Sequence, residues 1–460
     1  MAGLAPHTLM QRAGLAVARF ALAVAPHAKS IWVACGPGNN GGDGLEAALH
    51  LKQWGKKVTV TLLAEEGRLP ADAAASLQRA RAAGVFFSGT PPPEPDLCID
   101  ALLGAGAIRS PREVMAQWIE LMNAGTGLVM AVDLPSGLNA DTGDTTTHCT
   151  NADFTLSLLT LKPGLFTAKG RDTSGQTWFD DLGVASTAMQ TPPVAWLAGA
   201  PAAYSRPHGS HKGSYGDVAI IGGAPGMTGA ALLAASAALY GGAGRVFVAL
   251  LDGGTMSVDA NQPELMFRAA DRLDFDTTTL VCGCGGGEAI GGLLFKAFNA
   301  KAPVVVDADA INFLSTGIQL EALLRSRALR GATTILTPHP LEAARLLGAD
   351  VSAVQRDRLA AAQMLTQRFA CTVVLKGSGT VIASPGQIPV INPTGNAKLA
   401  TAGTGDVLAG MVGARLARGM SGFEAACEAV YQHGQFADAW PDAVPLTARG
   451  LARQQTHDGA

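Results

Sequence analysis

A glycine-rich stretch near the carboxyl end of the chain combines a carboxylate with accessible backbone amides. The stretch is Thr401–Gly410, and apolar residues at helical spacing follow it to about Gly419. A glycine-rich turn that opens a helix binds anions, because its unpaired N–H groups and the helix dipole both favour negative charge. Asp406 at the start of this helix is placed to take a proton from a hydroxyl group while the amides hold phosphoryl oxygens. The alternative is a turn in which Asp406 only caps the helix.

Polar residues also follow three apolar runs in the first half of the chain. The first run leads into the string GPGNNGGDG, which predicts a loop that binds phosphate, ribose or a cation, and the next two end at Asp100 and at Asp133 and Ser136. In a parallel sheet these ends share one edge, so we expect Asn40, Asp100, Asp133 and Ser136 to converge. Carboxylate, amide and hydroxyl oxygens suit a hard monovalent or divalent cation. The alternative is that each aspartate caps the next helix or turn.

Four apolar runs in the second half also end in polar or glycine-rich loops, which is typical of a parallel sheet covered by helices. Three of these loops carry Asp307, His339 and Lys376. A single histidine is more often a turn or packing residue. Because all three residues follow strand ends, we expect them to share a pocket.

The composition excludes several classes of protein. The 460 residues predict two or more domains, and 48% hydrophobic residues with 15% charged residues favour well-buried cores. A net charge of −3 without a basic run makes nucleic acid an improbable partner. Seven cysteines without framework spacing favour a reducing compartment. We find no signal peptide and no membrane span, so we expect a cytoplasmic protein.

Strand and helix patterns alternate in both halves, which predicts an α/β protein. From Gly183 to Pro207 this periodicity is lost and four prolines appear. We therefore place one domain at residues 1–190, a linker at 191–205 and a second domain at 206–450.

Three strings in the first half, GPGNNGGDG, DALLGAG and AVDLPSG, resemble in order and spacing the NAD(P)H-hydrate epimerase family. The resemblance covers roughly residues 8 to 185 and implies a Rossmann-like, three-layer α/β/α domain. Enzymes of this family interconvert the R and S epimers of NAD(P)HX, the hydrated form of damaged NAD(P)H, and bind potassium.

The resemblance implies roles for individual residues of the first half. Asn40, Asp100 and Ser136 would hold potassium. Asp133 would contact the substrate and shuttle a proton, because epimerisation opens and re-forms the C6 centre. Two short segments would contact the substrate, namely Asn39, Asn40, Gly41, Gly42 and Asp43, and Gly104, Ala105, Gly106, Ala107, Ile108, Arg109 and Ser110.

The second half resembles the ribokinase-like superfamily and, more narrowly, the ADP/ATP-dependent NAD(P)H-hydrate dehydratase family. The strings that carry this resemblance lie between about residues 205 and 440 and include HKGSYGDVAIIGG, NQPELM, LTPHPLE, LKGSGT and NPTGNAKLATAGTGDVLAG. They imply a ribokinase-like α/β/α domain. One departure from the family pattern is Cys284 in the glycine-rich loop at residues 283–287.

The second resemblance implies phosphoryl transfer from ADP or ATP to the C6 hydroxyl of the hydrate, followed by loss of phosphate. Asp406 would deprotonate that hydroxyl, and Mg²⁺ would accompany the nucleotide, with Glu342 as an indirect ligand. Residues implied to contact the substrate are Ala230, Gly287, His339 and Asp406. Residues implied to hold the nucleotide are Lys376, Gly377, Ser378, Gly379, Thr380 and Gly405.

We therefore predict a bifunctional repair enzyme that binds NAD(P)HX and ADP or ATP and forms a homo-oligomer. The main alternative is a ribokinase-like kinase of vitamin precursors, because such kinases share the Gly-Thr-Gly-Asp turn. In that case the first domain would be a binding module without catalytic activity.

Overall fold

Short buried strands alternate with helices in both halves of the chain, as the sequence predicts. The computed structural model describes residues 5–106, 110–185, 192–202 and 205–454. The chain divides into two compact units, Met1–Pro192 and Pro193–Ala460, each built on its own sheet. Among the described helices, none combines the length and the apolar character needed to cross a membrane.

The first unit contains a seven-stranded sheet in the order β3-β2-β1-β4-β5-β6-β7, and every pairing in it is parallel. Its strands are β1 Ser30–Cys35, β2 Lys57–Leu62, β3 Phe86–Phe87, β4 Leu97–Ala101, β5 Leu128–Val132, β6 Phe154–Leu158 and β7 Gln176–Asp180. Its helices are α1 Thr8–Val24, α2 Asn39–Gln53, α3 Ala71–Ala82, α4 Glu113–Ala124 and α5 Gly170–Thr173.

Alternate residues of β1 enter two separate cores. Ile31 and Val33 pack with apolar residues of α1, α2 and α3 on one face of the sheet. Trp32 and Ala34 pack with α4 on the other face. Side chains on a strand alternate between faces, so a strand buried on both sides requires helices on both sides. The unit therefore has three layers.

The predicted loop at residues 36–44 is wrong from Asn39 onward, because helix α2 begins there. Its glycines serve close packing. A Cβ on Gly41 would lie 2.0 Å from the Gly36 carbonyl oxygen, and one on Gly42 would lie 2.2 Å from the sulfur of Met10. The glycines thus let α2 start directly against the end of β1 and against α1.

The second unit contains a ten-stranded sheet in the order β11-β10-β9-β12-β13-β14-β15-β16-β17-β8. Only the β15–β16 and β16–β17 pairings are antiparallel among the described strands. The strands are β8 Trp196–Leu197, β9 Asp217–Gly222, β10 Arg245–Leu250, β11 Met266–Phe267, β12 Thr279–Cys282, β13 Val304–Val306, β14 Thr334–Leu336, β15 Thr372–Leu375, β16 Val381–Ala383 and β17 Val390–Ile391. The helices are α6 Thr228–Tyr240, α7 Ile290–Asn299, α8 Ala308–Leu314, α9 Ile318–Leu329, α10 Pro340–Leu347, α11 Val351–Arg356, α12 Arg358–Phe369, α13 Thr404–Ala417, α14 Gly422–Asp438 and α15 Ala448–Arg453.

This sheet too is covered on both faces. Val218 and Ile220 of β9 pack with α6, α13, α14 and α15, whereas Ala219 and Ile221 pack with the helices from α7 to α12. The predicted fold class, two three-layer α/β/α domains, is confirmed. Strand β8 lies within the segment predicted as a linker and pairs with β17 at the edge of this sheet.

Helix α13, which carries Asp406, lies unusually close to α6. A Cβ on Gly410 would come within 2.0 Å of the Ala234 carbonyl oxygen. Neither backbone can move aside without moving its helix, so only glycine fits at this position. This contact sets how deeply the amino end of α13 sits against the sheet.

We expect Gly410→Ala to lower the free energy of unfolding of the second unit by roughly 1–3 kcal/mol, because the added methyl forces α13 and α6 apart. Urea denaturation measures the change. Gly292→Ala is the matched control, since Gly292 is exposed on α7 with nothing within 4 Å of the added methyl. It should stabilise the helix by roughly 0.5–1 kcal/mol. Wild-type stability of Gly410→Ala would contradict the close contact.

Candidate active sites

Asp406 lies in the first turn of α13, where the chain enters the helix through a glycine. Gly403 precedes the helix with φ of 87°, a left-handed conformation that favours glycine. The turn therefore brings the amides of the helix start beside the aspartate. Burial and, to a smaller extent, the nearby charge of Asp307 raise the pKa of Asp406 to about 7.

Asp307 joins three elements at the bottom of this site. It directly follows β13, precedes α8 and is only 1% exposed. Its Oδ1 accepts hydrogen bonds from Thr337 Oγ1 at 2.7 Å and from Lys376 Nζ at 2.7 Å. Burial alone would lower the pKa of Lys376, but the charges of Asp307 and Glu342 outweigh it and raise that pKa. Lys376 is therefore a fixed positive charge in the pocket.

Cys284 was missed as a member of this site. Its Sγ lies 4.0 Å from Asp307 Oδ2, and burial raises the pKa of the thiol well above its usual value. Among the described residues, the ligand atoms of Cys284, Asp307 and Asp406 all lie within 4.8 Å of one another. The signal in the sequence was the glycine-rich turn that directly follows the buried strand β12.

His339 and Glu342 form a capping box at the start of α10. His339 Nδ1 accepts from the Leu341 and Glu342 amides at 3.1 and 3.3 Å, and Glu342 Oε2 accepts from the His339 amide at 2.8 Å. Burial raises the pKa of Glu342 to about 7 and lowers the pKa of His339. Lys376 and Asp307 influence both groups, which places His339 at the predicted shared pocket.

The residues predicted to hold the nucleotide lie in the turn after β15 and at the start of α13, which are close to each other. Lys376–Thr380 form the turn between β15 and β16, and Gly377 has φ of 127°. Arg358 supports this turn from below by donating to the carbonyls of Leu375 and Lys376 at 3.0 and 2.9 Å. A Cβ on Gly405 would lie 3.4 Å from Lys376 Nζ. The Lys376 ammonium thus lies between this turn and the start of α13, where Gly405 has no side chain of its own.

Ala230 and Gly287 lie on a third side of the same site. A Cβ on Gly285 would approach the Ala230 side chain to 3.0 Å, so the glycine-rich turn after β12 lies against the start of α6. The Gly287 amide donates to Asp309 Oδ2 at 2.9 Å. Asp309 also raises the pKa of Asp406, which places the Gly287 end of this turn near that carboxylate.

In the first unit, Asp100 and Ser136 meet at the carboxyl ends of β4 and β5. Asp100 Oδ1 accepts from Ser136 Oγ at 2.7 Å, and Asp100 Oδ2 accepts from the Ser136 amide at 2.8 Å. Ser136 Oγ accepts from the Leu103 amide at 2.9 Å. Asn40 joins them by donating its Nδ2 to the Leu103 carbonyl at 2.9 Å. The predicted cation ligands therefore converge.

Asp100 is a fully buried acid. Burial raises its pKa, and hydrogen bonds from Ser136 oppose that shift. Within the residues that the structure describes, no lysine, arginine or histidine forms an ion pair with it. The neighbouring Thr150 hydroxyl is buried and, like Ser136, lowers the pKa of Asp100. A buried carboxylate beside two hydroxyl oxygens suits a small cation.

Asp133 follows β5 with φ of 70°, a left-handed conformation that is rare for aspartate. Its Oδ1 forms an ion pair with Lys162 and accepts from the Leu158 amide at 3.2 Å. Sequence reasoning missed Lys162, which follows the end of β6. Strand β6 was not predicted, so the position of this lysine at the same sheet edge was not apparent.

The segments predicted to contact substrate flank this edge. Asn39–Asp43 lie in the first turns of α2, and a Cβ on Gly104 would lie 3.2 Å from Asn40 Cβ. Burial raises the pKa of Asp43 well above its usual value, and Asp133 raises it further. Gly104–Gly106 and Ser110 are described, whereas Ala107, Ile108 and Arg109 lie outside the described residues.

Two family models match the two units. The model described as YjeF-related protein N-terminus matches residues 6–164, and the model described as NAD(P)H-hydrate dehydratase matches residues 218–453. Two solved structures are similar to part of the chain. A ribokinase-like superfamily protein from Enterococcus faecalis is 25% identical and covers 55% of this chain and 89% of that chain, with a TM-score of 0.46. An ADP/ATP-dependent NAD(P)H-hydrate dehydratase from Bacillus subtilis is 29% identical and covers 54% of this chain and 90% of that chain, with a TM-score of 0.45.

Two curated relatives are similar to this chain in sequence. The bifunctional NAD(P)H-hydrate repair enzyme Nnr of Escherichia coli is 39% identical, over 95% of this chain and 85% of the relative. The ADP-dependent (S)-NAD(P)H-hydrate dehydratase of Neisseria meningitidis is 45% identical, over 54% of this chain and 85% of the relative. The two sheets, each with a polar site at the carboxyl ends of its strands, define a two-domain α/β enzyme. The chain belongs to the family of bifunctional NAD(P)H-hydrate repair enzymes.

The buried His433 provides a test of how the start of α13 is held. Its Nε2 donates to the Thr404 carbonyl at 2.9 Å, and burial lowers its pKa from 6.5 to about 4. As the pH falls, His433 therefore binds a proton in the unfolded chain before it does so in the folded chain. The folded unit loses stability between pH 6.5 and 4 for this reason. The shift corresponds to roughly 3 kcal/mol over that window.

We expect His433→Gln, which keeps a donor for Thr404 but does not titrate, to lose less stability than the wild type between pH 6.5 and 5. Urea denaturation at the two pH values measures the difference. His208→Gln, at an exposed position, is the control and should follow the wild type. Equal pH dependence for His433→Gln and wild type would contradict the neutral, buried histidine.

Proposed function

We propose that the second unit converts the S epimer of NAD(P)HX to NAD(P)H at the expense of ADP or ATP, and that the first unit interconverts the R and S epimers. Membership of the bifunctional family supports both activities. The name of the Neisseria meningitidis relative supports ADP and the S epimer for the second unit. One unit would consume a single epimer, and the other would supply it from the mixture.

The observation that carries the dehydratase is the position of Asp406 at the amino end of α13, facing Lys376 across Gly405. A carboxyl group with a pKa of about 7 is a suitable general base near neutrality. Asp406 takes the proton from the C6 hydroxyl, whose oxygen then bonds to the terminal phosphorus as the phosphoanhydride bond breaks. The amides of residues 402–405 stabilise the transferring group. Expulsion of phosphate by the N1 lone pair and loss of a C5 proton then restore NAD(P)H.

Binding roles in this site follow from the same geometry. The turn Lys376–Thr380 and Gly405 hold the nucleotide, because they combine the Lys376 ammonium with three glycines, Gly377, Gly379 and Gly405. Ala230, Gly287 and His339 contact the hydrated cofactor on the other sides of Asp406. The carboxylates of Glu342 and Asp307, which both act on Lys376, are the oxygen donors that fit Mg²⁺ carried by the nucleotide. Bound Mg²⁺ would neutralise phosphate charge.

In the first unit, Asn40, Asp100 and Ser136 are the residues that would hold potassium, since Asp100 lacks a positive partner in the described chain and the hydroxyl oxygens of Ser136 and Thr150 lie beside it. Bound potassium would supply the missing positive charge. Asn39–Asp43 and Gly104–Ser110 contact the hydrated nicotinamide nucleotide. Asp133 exchanges the proton that opening and closing of the C6 centre requires.

The assignment to parts of the chain is residues 1–190 for the epimerase and 206–450 for the dehydratase, joined by residues 191–205. The division into Met1–Pro192 and Pro193–Ala460 supports such a boundary. We further infer a cytoplasmic homo-oligomer. The rival function, a vitamin-precursor kinase with an inert first domain, is disfavoured because the relatives match along 95% of the chain. Phosphate release with hydrated NADH rather than with hydroxymethylpyrimidine separates the two.

We expect Asp406→Asn to lower kcat of the ADP-dependent dehydration by about 10²–10⁴-fold, because the amide cannot accept the hydroxyl proton. For the wild type, kcat/KM should fall as the pH drops through about 7, where Asp406 becomes protonated. NADH absorbance after addition of S-NADHX and ADP measures both. Asp271→Asn, at an exposed acid, is the control. An Asp406→Asn enzyme of wild-type rate would exclude this mechanism.

We expect Asp133→Ala to stop the exchange of epimers while leaving dehydration intact. With mixed NADHX and ADP, the wild type should return both epimers to NADH, whereas the variant should consume S rapidly and leave R to its slow spontaneous exchange. Chromatographic separation of the epimers measures the outcome. Consumption of S in the same sample is the internal control. Recovery of R at the wild-type rate would rule out Asp133 as the proton shuttle.

A further inference from the structure

Lys162 is fixed at the carboxyl edge of the first sheet by contacts that use its ammonium group completely. Its Nζ contacts Asp133 Oδ1 and donates to the Leu158 carbonyl at 2.7 Å, and Ser157 Oγ lies 3.4 Å away. The side chains of Lys162 and Asp133 are 12% and 16% exposed. The pair is thus mostly withdrawn from water but reaches the surface of the site.

This arrangement compensates an unfavourable backbone conformation. Asp133 has φ of 70°, which costs a residue other than glycine of the order of 1–3 kcal/mol unless its surroundings hold it. The Leu158 amide and Lys162 both bind the same oxygen, Oδ1, and leave Oδ2 without a described contact from either group. One carboxylate oxygen is therefore held and the other remains available to a ligand.

Lys162 also acts on Asp43, an acid near Asp133. Burial, Asp133 and Glu46 raise the pKa of Asp43, and Lys162 lowers it. The ammonium therefore lies near two acids, Asp43 and Asp133, whereas Glu46 pairs with Arg79 and His7. An ion pair that served only to stabilise the fold would not need to lie among the residues that face the proposed substrate.

We propose that Lys162 is a positioning residue of the epimerase, holding the Asp133 carboxylate in the strained conformation in which its free oxygen meets the proton at the C6 centre. This inference rests on the proposed epimerase activity of the first unit. Lys162 itself transfers no proton in this scheme and acts through Asp133. Removal of the ammonium frees the carboxylate to rotate, and misplacement of a reacting group by about 1 Å costs about 100-fold in rate.

The test uses the full chain without ADP, so that dehydration does not remove the S epimer, and follows exchange of R- and S-NADHX by chromatography. We expect Lys162→Met to lower kcat for exchange by about 100-fold with KM changed by less than about twofold, because transition-state placement rather than binding is lost. Lys162→Ala should lose rate similarly and regain part of it when methylammonium is added. Lys162→Arg should retain more activity than either.

Lys57→Met is the matched control, since Lys57 is exposed at the opposite end of β2 and should exchange epimers at the wild-type rate. Wild-type kcat for Lys162→Met would overturn the inference. So would failure of methylammonium to restore any rate to Lys162→Ala, which would indicate a purely structural role. Absence of exchange in the wild type would instead overturn the proposed epimerase function.

Discussion

The charge balance of the pocket in the second unit depends on one ion pair. Lys376 and Asp307 meet at 2.7 Å in a pocket that also contains Asp406 and Glu342, so three carboxyl groups share a single ammonium. The pocket therefore cannot hold all three acids ionised at low cost, and burial raises the pKa of Asp406 and Glu342 to about 7. The residue proposed as the base thus changes its charge near neutrality because of where it lies.

Close backbone packing provides the rigidity that this pocket requires. Gly410 lets α13 approach α6, and Gly41 lets α2 begin against β1, so in each unit a helix that bears site residues lies directly on its neighbours. Helices held by backbone contact do not shift independently of the sheet. The amino ends of both helices are consequently placed by the core rather than by flexible loops.

Much of this organisation could be predicted from the sequence. Strand ends carry Asp100, Asp133, Asp307 and Lys376, and the shared edge of a parallel sheet brings such residues together. The prediction of a loop over residues 36–44 was wrong from Asn39 onward. Glycines and asparagines there favour a loop locally, whereas packing against β1 and Met10 favours a helix. Lys162 and Cys284 were missed because their partners lie on other strands. The antiparallel strands β16 and β17 are only three and two residues long and leave no pattern.

Both units belong to a single polypeptide, and this has a consequence for regulation. Each round of translation yields one epimerase and one dehydratase, so the ratio of the two cannot drift with promoter strength, messenger stability or differential degradation. A cell cannot raise the capacity for one step without the other. Flux through repair is then limited by whichever unit turns over more slowly under the prevailing conditions, because the two are made in equal number.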